Sequence, residues 1–326
     1  MDLFTHIVFS YLLSFVIWGP SRPEYIAAGA LAGGLPDADA LLFPLARRFP
    51  ILSHHGITHS LLGVTIIAGA GSFLLPFLPY FPHANPLLYF LAMEIGGLAH
   101  VFLDGFTHFA VTPLLPVSWR QLRLDADVAI NVVMLGITSV TLIVLASERG
   151  TVPFNVWIET AWILTAVYGA YLLLRWIARW RANLVARSMG FSHALPTTNP
   201  WRWTLAERED LPDRYRIRFR HLTLGRPTVS AERSMEVAKV SPTAEGPVHT
   251  AQEALERSYP AAMEKNHWLA MRYHFGEATE RNGTFDVIWF MIEGSPFGRT
   301  MGVRVLIDGS TGKMTVRSAF PRMPRG

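Results

Sequence analysis

Residues 128–147, VAINVVMLGITSVTLIVLAS, run for twenty positions without a charged side chain. At about 1.5 Å per residue a helix of that length crosses about 30 Å, the thickness of bilayer hydrocarbon. Residues 156–174 repeat the pattern, with one interior carboxylate, Glu159, near the start. Arg120 and Arg123 precede the first run; Arg175, Arg179, Arg181 and Arg187 follow the second. Clustered arginines stay on the cytoplasmic side, so the two runs predict an outward-and-back hairpin of membrane spans. Trp176 and Trp180 suit the interfacial level beside those arginines. Arg47 and Arg48 place the histidine-rich segment after them on the same side.

Composition agrees with a membrane setting. Half of the 326 residues are hydrophobic and 17% are charged, against about 25% in soluble domains. That balance excludes a disordered chain and a nucleic-acid-binding tail. The charge is uneven: residues 1–194 hold ten acidic and ten basic side chains, residues 195–326 fifteen and nineteen. The chain is therefore read as mainly α, a polytopic membrane helical bundle over residues 1–190 followed by a soluble α+β, mostly β, domain over residues 195–326.

Apolar stretches run over residues 3–18, 23–46, 61–79 and 86–110, the first a retained helix and not a cleaved signal peptide. In the second half WRWTLAERE, YRIRFRHLTL, TFDVIWFMIEG and MGVRVLIDGSTGKMTVRSAF alternate polar and apolar residues as strands do, the last turning at DGSTG. Residues 250–271 read as helix, with Pro260 as a break. Arg214, Arg216, Arg218 and Arg220 share one strand face; this is read as a solvated face, and direct nucleic-acid binding is not expected. The chain lacks GxGxxG, Walker A, HExxH and GxSxG patterns, which removes sequence support for a nucleotide cofactor or a serine nucleophile.

The membrane-embedded half carries polar side chains that hydrocarbon does not tolerate unpaired. His6 lies in the first apolar run, Asp37 and Asp39 interrupt GGLPDADALL, and His54, His55 and His59 occupy HHGITHS. His100 and Asp104 sit four apart in GGLAHVFLDGFTH, on one face of a helix that His108 would continue. Pro36 should end the helix before the carboxylates, which then either reach a cluster or cap a new helix. His54 and His59 are too far apart for one helix face, so a loop must fold them together. Thr58 and Ser60 stand ready to hydrogen-bond the groups that face the cluster. There is no cysteine, so thiolate sites are excluded and a metal here must be held by imidazole and carboxylate. A His/Asp metal cluster is the economical account; a proton or ion pathway is the competing one.

GGLPDADALL, HHGITHSLLG, GGLAHVFLDGFTH and the initial Thr5-His6 resemble, in this order, the YdjM-like (LexA-binding) inner-membrane metal-dependent hydrolases, over roughly residues 1–180. That family is in turn distantly similar to the zinc-dependent phospholipase C and P1-nuclease superfamily. His55 stands where the family pattern HRGxTHS has arginine, which weakens a fixed cationic phosphate clamp at that position. The resemblance implies a multi-pass protein of the bacterial inner membrane with a cytoplasmic C-terminal domain. It implies one to three divalent ions, zinc first and manganese next, held by His6, Asp37, Asp39, His54, His59, His100 and Asp104. On this reading Asp37 or Asp39 bridges metals or accepts a proton from water. His55 steadies a phosphate or leaving group, and the substrate is a phosphoester or lipid-like molecule met in the membrane. Two other classes stay open: a non-catalytic module that binds a cytosolic protein partner around a structural metal, and an ion or proton transporter.

Overall fold

Asp2 accepts a hydrogen bond from Thr5 N (3.0 Å) and so starts helix α1 (Leu3–Trp18) two residues into the chain. The structure is a computed structural model that describes residues 1–42, 49–52, 54–81, 85–148, 153–225, 228–238, 246–265, 273–292 and 302–319. Arg47 and Arg48, on which the side of the histidine-rich segment was argued, lie outside those residues, as do parts of the 148–155 connector and of the 250–271 segment. The chain separates into two compact units, Met1–Trp176 and Ile177–Gly326.

The first unit is helical. Gly19, at φ 69°, ends α1 in a backbone conformation that suits glycine, and Pro23 opens α2 (Pro23–Ala32). A 3-10 helix, Pro36–Leu42, begins at the proline expected to stop α2. A short 3-10 turn, Ile57–His59, leads into α3 (Leu61–Leu74), whose N-cap Ser60 accepts from Gly63 N (3.0 Å). Asn85 caps α4 (Pro86–Phe106) in the same way at Leu87 N (2.9 Å). Two helices follow, α5 (Val132–Glu148) and α6 (Phe154–Ser188).

Among the described residues, two helices are long and apolar enough to cross a membrane, Pro86–Phe106 and Phe154–Ser188. The 128–147 run is not one uninterrupted helix. Asn131 Oδ1 accepts from Val133 N (2.9 Å), so α5 starts at Val132 and has 17 residues. Absence of charge marks the run as apolar, but it does not reveal that Asn131 caps a shorter helix. The 86–110 helix is also shorter than expected. It stops at Phe106, where Thr107 N returns to Asp104 O (3.0 Å), and His108 N donates to Asp127 O (2.9 Å). His108 therefore leaves the stripe formed by His100 and Asp104.

Glycine sets how closely these helices meet. A Cβ added to Gly96 on α4 would fall against the backbone carbonyl of Gly29 on α2, and one added to Gly29 against Ser14 of α1. Ser10 Oγ of α1 donates to Gly96 O (3.2 Å). A Gly96→Ala change is expected to destabilise the unit by about 1–3 kcal/mol, since backbone cannot yield as a side-chain tip does. The gain in helix propensity, about 1 kcal/mol, does not offset this. Denaturation by titrated anionic detergent checks it.

In the second unit the strand pairs among the described residues are antiparallel. β1 (His193–Pro196), β2 (Arg202–Asp210), β3 (Arg214–Thr223) and β4 (Thr228–Val229) lie in that order, and β5 (Arg233–Ala238) pairs with β3. Helix α7 (Ala251–Lys265) precedes a second sheet, β6 (His274–Arg281), β7 (Thr284–Met291), β8 (Gly302–Asp308) and β9 (Met314–Ala319). The strands expected at WRWTLAERE, YRIRFRHLTL and TFDVIWFMIEG are β2, β3 and β7. Pro260 does not break the helix; it lies inside α7. Ala254, Ser258 and Ala262 form one buried face there, and Ser258 Oγ accepts from Trp289 Nε1 (2.9 Å), so packing carries the helix through the lost backbone bond. The arginines of β3 meet acidic partners: Arg214 and Arg216 pair with Glu236, Arg218 and Arg220 with Glu232.

Candidate metal centre

The start of α1, the end of α2, the start of α3 and the end of α4 bring their polar residues to one end of the helical unit. His100 and Asp104 follow each other by one turn of α4, both fully buried. His100 Nδ1 donates to the carbonyl of Gly33, just past α2 (2.7 Å). A carbonyl only accepts, so the proton of His100 is on Nδ1 and its Nε2 lone pair faces the cluster. His55 is held the same way: Nδ1 donates to Ala110 O (3.1 Å) and Nε2 lies 3.5 Å from Asp104 Oδ2. His55 does not point to water; it is buried at 8% exposure.

His59 stands between these groups. Its Nε2 lies 3.1 Å from His100 Nε2, 3.4 Å from Asp104 Oδ2 and 3.5 Å from Asp37 Oδ1. Its Nδ1 faces Asp39 Oδ2 (3.3 Å) and Thr58 Oγ1 (3.0 Å). Burial works against a charged His59, but the carboxylates of Asp104, Asp37 and Asp39 that face it outweigh burial and raise its pKa to about 10. Two imidazole nitrogens 3.1 Å apart, one an acceptor, need a hydrogen or a metal ion between them; in the ion-free protein a proton on His59 Nε2 serves. Burial outweighs the attraction of Asp104, lowers His55 to about 3 and keeps it neutral. Burial alone would raise Asp37 and Asp39. The histidine bonds prevail and hold both below the ordinary carboxylate range, His59 first for Asp37 and His54 first for Asp39.

His6 reaches the same place from the second turn of α1. Its Nε2 lies 3.1 Å from Asp104 Oδ1, and its ring stacks on His100 with centroids 3.7 Å apart. The amino group of Met1 hydrogen-bonds the same carboxylate oxygen. Asp37, His59, His100 and Asp104 each offer one donor atom, all within 4.8 Å of one another; His54, His55 and His59 form a second such set. Asp39 sits one step back, joining His54 Nδ1 (2.8 Å), Thr58 Oγ1 (2.8 Å) and His59. Solvent reaches the cluster at Asp37, whose side chain is 18% exposed, and at His54, 46% exposed.

These donors fit a divalent cation. Asp104 Oδ2 is buried, faces three imidazoles and has no hydrogen-bond partner among the described residues. An orphaned carboxylate oxygen costs several kcal/mol in such surroundings, and a cation among the Nε2 atoms removes that cost. Imidazoles whose Nδ1 is tied to a carbonyl or carboxylate are the usual form of ligating histidine. The structure brings His6, Asp37, His59, His100 and Asp104 together. The carbonyls of Gly33 and Ala110 were not foreseen, because main-chain acceptors carry no residue-type signal. Asp127 and Arg175 were also missed as a buried pair: Arg175 Nη2 lies 3.1 Å from Asp127 Oδ1, both side chains wholly buried. Sequence reading placed that arginine at the membrane surface.

The profile of a family described as YdjM inner membrane protein matches residues 1–182, more than half of the chain. Neither a curated protein nor a solved structure matches the sequence.

Proposed function

Because this chain belongs to the YdjM inner membrane protein family, we propose that it is a multi-pass, metal-dependent hydrolase with its site at the cytoplasmic end of the helical unit. The observation that carries the reading is the orphaned Asp104 Oδ2 at the meeting point of His55, His59 and His100. Asp37, His59, His100 and Asp104 would hold one divalent ion, with His54, His55 and His59 as donors for a second. With nitrogen and oxygen donors and no cysteine, zinc is the leading ion and manganese the next. A divalent ion held there supplies Lewis acidity, acidifying a water and polarising the bond to be broken.

The remaining work belongs to the side chains. Asp39 holds His59 at Nδ1, which aims Nε2 inward and keeps the imidazole basic. Asp37 is ionised and reached by solvent, so the carboxylate oxygen that holds no ion would accept the proton of an attacking water. His55, neutral and anchored on Ala110 O, turns Nε2 toward the cluster and acts as a ligand, not as a cation that clamps phosphate. The phosphoester class rests on the resemblance to phospholipase C and P1 nuclease. The placement in the membrane rests on α4 and α6, and the cytoplasmic side on the arginines that follow the apolar part of α6.

Elemental analysis of the full chain purified in detergent without chelators tests the site, and the expected result is stoichiometric zinc or manganese. Hydrolysis of phosphomonoesters, phosphodiesters and phospholipids with those ions added tests the chemistry. Absence of bound metal overturns the proposal; bound metal with no turnover on any of the three classes returns the chain to a binding role. Thr58→Val, which removes the hydroxyl shared by Asp39 and His59, is expected to weaken metal binding about 10–100-fold while leaving the fold intact. Competition with a chelating dye measures it. A reporter active only outside the cytoplasm, fused to the C-terminus, should remain silent.

A further inference from the structure

The segment after α4 is unusual for a loop. Its base is stitched to the candidate centre: Thr112 Oγ1 donates to His55 O (2.8 Å), His55 Nδ1 donates to Ala110 O (3.1 Å), and Leu61 N donates to Pro113 O (3.0 Å). Val111 and Leu122 close it by a pair of backbone bonds, 3.1 and 2.8 Å. Leu115 points inward at 2% exposure, while Leu114, Val117 and Trp119 are 48%, 94% and 59% exposed. Arg120 is exposed beside them and has no carboxylate partner among the described residues.

A tip this apolar has no place in water. It also cannot enter hydrocarbon as irregular backbone. The headgroup layer satisfies both conditions, since tryptophan and arginine settle there and aliphatic tips reach the upper acyl carbons. The turn partly satisfies its own main chain, through Leu115 N to Thr112 O (3.2 Å), Ser118 N to Leu114 O (3.0 Å) and Arg120 N to Ser118 Oγ (3.2 Å). The exposed apolar surface continues onto the helix ends beside it: Leu61 and Leu62 at the start of α3, Leu98 and Phe102 at the end of α4.

We propose that residues 113–122 form a docking surface for anionic phospholipid headgroups, holding the bilayer interface against the mouth of the His/Asp cluster. The inference rests on the membrane reading above and specifies the surface through which a lipid phosphate is presented. Arg120 supplies the charge complement, and Leu114, Val117 and Trp119 supply the apolar anchor.

The absence of cysteine from the chain allows a unique label. Val117→Cys in the full chain, carrying an environment-sensitive fluorophore, is reconstituted in nanodiscs of phosphatidylcholine with or without phosphatidylglycerol. The expected result is quenching by lipids bearing a nitroxide at the headgroup that exceeds quenching by aqueous iodide several-fold. It should strengthen with phosphatidylglycerol, and Arg120→Glu should abolish that increase. A label quenched by iodide as freely as in detergent, or one that ignores phosphatidylglycerol, overturns the proposal. Metal content measured on the same samples is a separate readout: its loss removes the metal reading and leaves the docking result standing, and the reverse holds.

Discussion

Asp104→Asn is expected to abolish metal binding while the chain still folds. The carboxylate is the one group that every histidine of the cluster except His54 approaches: His6 at Oδ1, and His55, His59 and His100 at Oδ2. Asparagine keeps the size but puts either a neutral carbonyl or an N–H where an ion would sit. The loss should exceed the ~10–100-fold that follows removal of a supporting hydrogen bond. Elemental analysis and chelator competition measure it, and an unchanged thermal transition of the ion-free protein shows that the fold survives. If the substituted protein keeps its metal, the ion is held elsewhere.

Arg175→Met should be the most destabilising single change in the helical unit. Asp127 Oδ1 accepts from Val128 N (2.7 Å), Asn131 Nδ2 (2.6 Å) and Arg175, and Tyr171 donates to Oδ2 (3.0 Å). Arg175 Nε also donates to Ala126 O (2.9 Å). Removing the arginine leaves a carboxylate buried without its counter-charge, a loss of about 3–5 kcal/mol. Adding Asp127→Asn should recover part of it, because the amide keeps several of those bonds and no longer needs a cation. The two single variants and the double variant, denatured in parallel, give the coupling. A single change within experimental error of the parent protein would mean that water reaches the pair.

The sequence made the polar site legible for a physical reason. His and Asp are costly in apolar helices, so HHGITHS, PDAD and HxxxD announced that they need partners, and the i, i+4 spacing of His100 and Asp104 gave their common face. It did not separate Asp37, which faces the cluster, from Asp39, which backs His59; that depends on the 3-10 path after Pro36. Helix ends were less legible. Charge counting extended the apolar run to residue 128, and Asn131 ends it from the side chain. Periodicity carried the α4 stripe on to His108, where the backbone of Asp127 draws the chain away. Strand alternation marked β3 and β7 well, because one face of each is buried in the core shared with α7; β2 instead buries four consecutive residues, Trp203 to Ala206. Pro260 misled, since proline weakens a helix locally while packing on Trp289 acts over its whole length.

The hydrogen bond from His100 to Gly33 O ties an imidazole on one helix to the main chain just past another, and Gly29 and Gly96 press those same two helices together without side chains between them. A slide of one ångström along that seam would separate donor from acceptor and rotate the ring. Ligand geometry is thereby keyed to helix registry, so the pair must seat fully before the centre exists, and no partly docked intermediate can capture an ion in the final arrangement.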